Sequence, residues 1–93
     1  MNEKDELMEE AILGRQVELF LQSEIGSYLI KHSEEEIARA TEKLKHVASW
    51  RRRRIQELQN QIQVAEWFQV WLGEAVAAGQ NAINILEEED AYK

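Results

Sequence analysis

Across residues 51–86, apolar residues recur at helical spacing: Ile55, Leu58, Ile62, Ala65, Leu72, Ala75, Val76, Gly79, Ala82, Ile83 and Leu86. Gaps of three and four sustained this long are the pattern of an amphipathic α-helix. At a rise of about 1.5 Å per residue, such a stretch is a rod of roughly 54 Å. Its middle is wider than a single seam, because Val64, Trp67, Phe68 and Trp71 fall beside the main series. A helix apolar over that much of its circumference is not covered by one neighbour. The pattern therefore predicts a helical scaffold with surface left for a partner, and it does not say which process that scaffold serves.

The rest of the chain is helical in pattern too. The 93 residues hold no proline and four glycines, which points to a single small all-α domain. Leu7, Met8, Ala11, Ile12, Leu13, Val17, Leu19, Phe20 and Leu21 give a first helix over about 4–22. Ser23 is a good N-cap for the next helix, and Gly26 weakens helix propensity just inside it. A break is expected at 22–24. A second helix over 24–46 carries Ile25, Tyr28, Leu29, His32, Ile37, Ala40, Thr41, Leu44 and Val47. Ser33 and Glu36 also fit a capping box that would start a helix there, but the stripe runs through them without a phase change.

The pattern lapses after Val47, where Ser49 can cap a third helix over 51–88. A turn at 47–50 makes the last two helices a long antiparallel hairpin; a single unbroken helix over 24–88 is the alternative. Residues 87–93, with Glu87, Glu88, Glu89 and Asp90, have the wrong sign for a helix C-terminus and are expected to fray. The third helix outruns the second, so 73–86 must face the first helix or a second chain. This mismatch points to a homodimer or higher oligomer that completes the core.

With no cysteine, disulfides, thiolate catalysis and Cys-built zinc sites are excluded. No uncharged run approaches the about 20 residues of a bilayer span, and the acidic start is not a signal peptide. A cytoplasmic protein without a membrane anchor is expected. His32 and His46 stand four residues from Glu36 and Glu42, so each can pair with a carboxylate. The Glu-x-x-His repeat of bundle metal sites does not occur. No nucleophile–base pair or phosphate loop can be assembled, so no catalytic residue, metal or cofactor is expected and the chain reads as a non-enzyme.

Charge is partitioned. The net charge is −7, yet residues 43–54 hold six basic and no acidic side chains between two acidic segments. Arg51, Arg52, Arg53 and Arg54 in a first helical turn oppose the helix dipole, a cost that a purely structural turn has no reason to bear. With Lys43, Lys45 and Trp50 they form a basic tip suited to an acidic protein surface, another copy's acidic end included, or to nucleic acid. Val64, Trp67, Phe68, Trp71, Gly79 and Ile83 are the candidate self-association residues, since tryptophan is enriched at such contacts and small residues allow close approach. A further reading makes Glu9, Glu10, Glu34, Glu35, Glu36 and Glu42 an imitation of a phosphate backbone that inhibits a host enzyme.

The stretch Leu13-Gly14-Arg15-Gln16, followed by Phe20-Leu21-Gln22-Ser23-Glu24-Ile25-Gly26-Ser27-Tyr28-Leu29, resembles small all-helical proteins encoded by tailed phages and prophages. The run Ala65-Glu66-Trp67-Phe68-Gln69-Val70-Trp71-Leu72 is similar to that group as well. The likeness spans about residues 10–80 and rests on packing residues. It implies a phage accessory protein in a host cell or virion, acting in particle assembly or on a host factor, and carries no catalytic motif. Such proteins tend to have an acidic, proline-containing connection between their long helices. Here Ala48-Ser49-Trp50 and four arginines stand in its place.

Overall fold

The computed structural model describes residues 2–91, as three α-helices and no strand: α1 (Glu3–Gln22), α2 (Glu24–His46) and α3 (Arg52–Ala91). Asn2 starts α1, its side chain accepting the Asp5 N–H at 2.9 Å, and Glu3, Asp5 and Glu6 complement the helix dipole in the first turn. At Ser23 the chain stops and restarts. Its N–H and hydroxyl both donate to the Phe20 carbonyl, while the same hydroxyl oxygen accepts the Gly26 N–H at 3.0 Å. The expected N-cap is thus present. Gly26 does more than weaken a helix: a Cβ there would lie 1.7 Å from the Phe20 carbonyl oxygen, so the corner leaves no room for a side chain. Beyond it α2 runs unbroken through Ser33 and Glu36, and no helix starts at the capping box.

The Arg51 N–H donates to the Ala48 carbonyl at 3.0 Å and closes a turn over 48–51. This excludes one continuous rod. Ser49 lies within the turn and is not the cap expected of it; the residue before α3 is Arg51, whose carbonyl accepts the Ile55 N–H. The helix then continues through Ala91, past Leu86, where fraying was expected. Each carboxylate near an exposed helix end costs only tenths of a kcal/mol, and glutamate is a good helix former. The expected loose tail at Tyr92 and Lys93 lies outside the described residues.

Forty residues of α3 make about 60 Å of helix, close to the 65 Å long dimension of the molecule. The 20 residues of α1 and 23 of α2, laid end to end, span about the same length. Contacts fix how they lie. Ser33 of α2 donates to the Ala65 carbonyl, and Gly14 of α1 abuts Gly79. One arm of the hairpin is therefore α3, and the other is α2 followed, back along the chain, by α1. Most of the contact of α1 is with α3 and little is with α2. This corrects the argument from helix lengths: α1 meets the second half of α3, and the surplus length calls for no second chain.

The buried seam of α3 alternates gaps of three and four through Ile55, Leu58, Ile62, Ala65, Gln69, Leu72, Val76, Gly79, Ile83 and Leu86, none of them exposed. Gln69 fills the apparent gap in the apolar series. Its amide donates to Ser33 Oγ at 3.2 Å, and that hydroxyl donates to the Ala65 carbonyl at 3.0 Å. A polar pair satisfied inside an apolar seam favours one register over its neighbours. On α2 the inward series is Gly26, Ile30, Ser33, Ile37, Ala40, Leu44 and Val47, whereas Ile25, Tyr28, His32 and Thr41 face outward. Ile37, Ala40, Leu44 and Val47 of the expected series do point inward, but over the first half of α2 Gly26, Ile30 and Ser33 take the inward places expected of Ile25, Tyr28 and His32. No described helix is long and apolar enough to cross a membrane.

Candidate functional site

Between α2 and the first half of α3 the two arms part, leaving a groove of about 580 Å³. Leu29, His32, Ser33 and Glu36 line one wall, and Val64, Ala65 and Phe68 are among those lining the other. Bulky residues flank the seam here, so the backbones do not close as they do at Gly14 and Gly79. Val64 remains 63% exposed. Trp67 and Trp71, one turn apart, stack with ring centroids at 6.2 Å and are 45% and 61% exposed. On α2, Tyr28 stacks on His32 at 6.1 Å, and the exposed Ile25 lies seven residues before His32 on the same helix face. Both arms thus expose apolar and aromatic side chains at this level, in the groove and in the stacked pairs beside it. Trp67 and Trp71 are not core residues.

Of the candidate self-association residues, four come together on this face: Val64, Trp67, Phe68 and Trp71. Gly79 does not join them. It is buried against its own chain, where a Cβ would lie 2.7 Å from the Gly14 Cα and 3.0 Å from the Glu10 carbonyl. Ile83 is half-buried farther along the same seam. Both therefore serve the α1–α3 contact, a correction to the sequence reading, which could not see where α1 docks. Leu29 and His32, members of the expected core series, line the groove, and Ile25 and Tyr28 of that series are exposed beside it. The signal that would have found them is the seven-residue spacing of the small residues Gly26, Ser33 and Ala40, which are the buried residues of α2. Exposed Met8, Ile12 and Leu19 form a second, smaller apolar stripe on α1.

The basic tip is assembled by the turn. Lys43 at the end of α2 shares a cleft with Arg51 and Arg54 across it, and Trp50 lies against 51–54 on a neighbouring surface. Trp50 is 79% exposed. Lys45 is paired with Glu42 at 3.5 Å and Arg54 with Glu57 at 3.3 Å, both at the surface. Arg51, Arg52 and Arg53 make no ion pair among the described residues.

The two histidines behave differently. His46 meets Glu42 at 3.1 Å, but Glu36 bonds to Arg39 and leaves His32 to Tyr28. The Arg39 hydrogen bond, and then its charge, hold the Glu36 carboxyl below the usual carboxylate range. Compared with family models, curated proteins and solved structures, the chain matches none.

Proposed function

We propose that this chain is a non-enzymatic protein-interaction module, a phage-type accessory protein that self-associates and binds a protein partner in particle assembly or on a host factor. The observation that carries this reading is the open groove lined by Val64 and Phe68, with Trp67 and Trp71 next to them on α3 and 45% and 61% exposed. Exposed tryptophans around an apolar cleft are costly in water and are the side chains that dominate binding energy at protein contacts. The phage assignment rests on the sequence resemblance alone, and a host-cell cytoplasm or a virion is the setting it implies. The test is affinity capture from phage-infected host extract with the wild-type chain and with Val64→Glu/Trp71→Glu, which leaves the seam intact. Partners held by the wild type and lost by the variant support the reading. The same set held by both overturns it.

A second reading, nucleic-acid binding through the tip, is favoured by one observation: Arg51, Arg52 and Arg53 make no ion pair among the described residues and stand beside an exposed indole. Phosphate contacts would make such binding steeply salt-dependent. Replacing residues 51–54 by serine should then abolish it, and a wild-type chain that binds neither DNA nor RNA at low salt removes this reading.

A further inference from the structure

Both ends of α3 carry charge of the wrong sign for its dipole. Four arginines stand at its start, and its first turn has no carboxylate; Glu87, Glu88, Glu89 and Asp90 stand at its end, and its last turn has no base. The hairpin makes this asymmetry molecular. The N-terminus of α1, with Glu3, Asp5, Glu6, Glu9 and Glu10, lies beside the end of α3, because Gly14 meets Gly79 in antiparallel register. One end of the rod is therefore basic and the other acidic, about 60 Å apart. Arg51, Arg52 and Arg53, like Glu87 to Asp90, find no ionic partner among the described residues.

The aromatic face sits between these ends at a telling level. From residue 70, within the Trp67–Trp71 pair, Arg52 lies 18 residues one way and Glu88 lies 18 the other, about 27 Å along the helix in each direction. Ser33 opposite Ala65 in antiparallel register brings Tyr28 to that same level. We propose that the occupant of the aromatic face is a second copy of this chain, docked antiparallel about a two-fold axis near residue 70. Resting on the interaction reading above, this names the partner and its orientation.

In that arrangement Tyr28, Trp67 and Trp71 of each copy meet across the axis. Arg51, Arg52 and Arg53 of one copy come level with Glu89, Glu88 and Glu87 of the other. An isologous contact repeats each of these pairings twice. Each basic helix start gains the carboxylates it lacks, and each acidic helix end gains cations. A parallel dimer would instead set arginine against arginine and carboxylate against carboxylate, which like-charge repulsion disfavours.

The chain has no cysteine, so single introduced thiols report orientation cleanly. Ser49→Cys and Glu88→Cys chains, mixed and treated with a short bismaleimide, should yield the mixed cross-linked dimer in large excess over Ser49→Cys linked to itself. Preferential Ser49→Cys self-linkage means a parallel pair and overturns the proposal. Sedimentation of the full chain should give twice the chain mass. Trp67→Ala/Trp71→Ala should weaken the dimer by at least about tenfold with unchanged helical circular dichroism. Raising salt from about 0.05 M to about 0.5 M should weaken the wild-type dimer on the order of tenfold, as screening removes the end-to-end attraction.

A chain that stays monomeric at millimolar concentration, or a dimer indifferent to both tryptophans, overturns the proposal. So does a monomeric chain whose tip binds nucleic acid. A monomer that still captures a protein partner through Val64 and Trp71 would leave the interaction reading standing, so the two failures are distinguishable.

Discussion

The two halves of the hairpin solve the same packing problem in opposite ways. Where α1 lies on α3, Gly14 and Gly79 bring backbone against backbone, and the neighbouring Ala82 is sealed from solvent. Where α2 lies on α3, only small cores such as Leu58 and Ala40 are closed, while Leu29 and Phe68 stand along an open groove. Small residues let helices approach until they satisfy each other; large ones beside the seam hold the arms apart and leave apolar surface for something else. One arm of this molecule is thus closed within the chain, and the other keeps an open apolar groove.

That contrast is broken most forcefully at Leu58, whose side chain is wholly enclosed between α2 and α3. Leu58→Ala should cost about 2–5 kcal/mol, the usual range for a buried leucine truncated to leave a cavity, read as a fall in the urea midpoint. Next comes the closed half. Gly79→Ala places a methyl within 2.7 Å of the Gly14 Cα, a backbone atom that cannot swing aside. The helices must separate, at about 1–3 kcal/mol, and amide exchange should accelerate in α1 before it does in α2. Equal acceleration in both would mean that the halves are not separate units.

Ser33→Ala tests the polar pair in the open half. It leaves the Gln69 amide without its partner across the seam, at about 1 kcal/mol. Adding Gln69→Leu should recover most of that loss, because removing both partners of a hydrogen bond is far less costly than removing one. Gly73 supplies the opposite control. Nothing lies within 4 Å of a Cβ built there, so Gly73→Ala should raise stability by about 0.5–1 kcal/mol through helix propensity alone. A loss at Gly73 would show that α3 is packed against something on that side in solution.

The comparison also explains what the sequence could and could not disclose. Three helices, the cap at Ser23 and the turn after α2 follow from spacing, capping chemistry and the lapse of the apolar pattern, all local properties. The destination of α1 does not. Gly79 falls on the apolar series of α3, but Gly14 is 65 positions away and no local pattern pairs the two. Gly26 looked like a weak helix residue because its constraint is the Phe20 carbonyl, set by the angle between two helices. Gln69 looked like a gap in the stripe because its partner Ser33 lies on another helix. Trp67 and Trp71 were visible as off-seam aromatics, yet that Tyr28 stands at their level on α2 follows only from the register set by Ser33 and Ala65.

The smallest effect expected is electrostatic and belongs to the open half, at its groove wall. Arg39 hydrogen-bonds Glu36 and lowers its carboxyl pKa below the ordinary value. A carboxylate whose pKa is depressed by folding adds stability above its unfolded pKa and loses it as pH falls through the folded one. The contribution of this pair should therefore be full and flat near neutrality and should vanish in acid, below the usual carboxylate range. Both side chains are about half in solvent, where surface pairs are weak, so the difference between wild type and Arg39→Gln should be slight at pH 7. Urea midpoints of the two chains, followed from neutral pH into acid, should converge as Glu36 takes up its proton. A gap that widens in acid would mean that Arg39 acts through something other than Glu36.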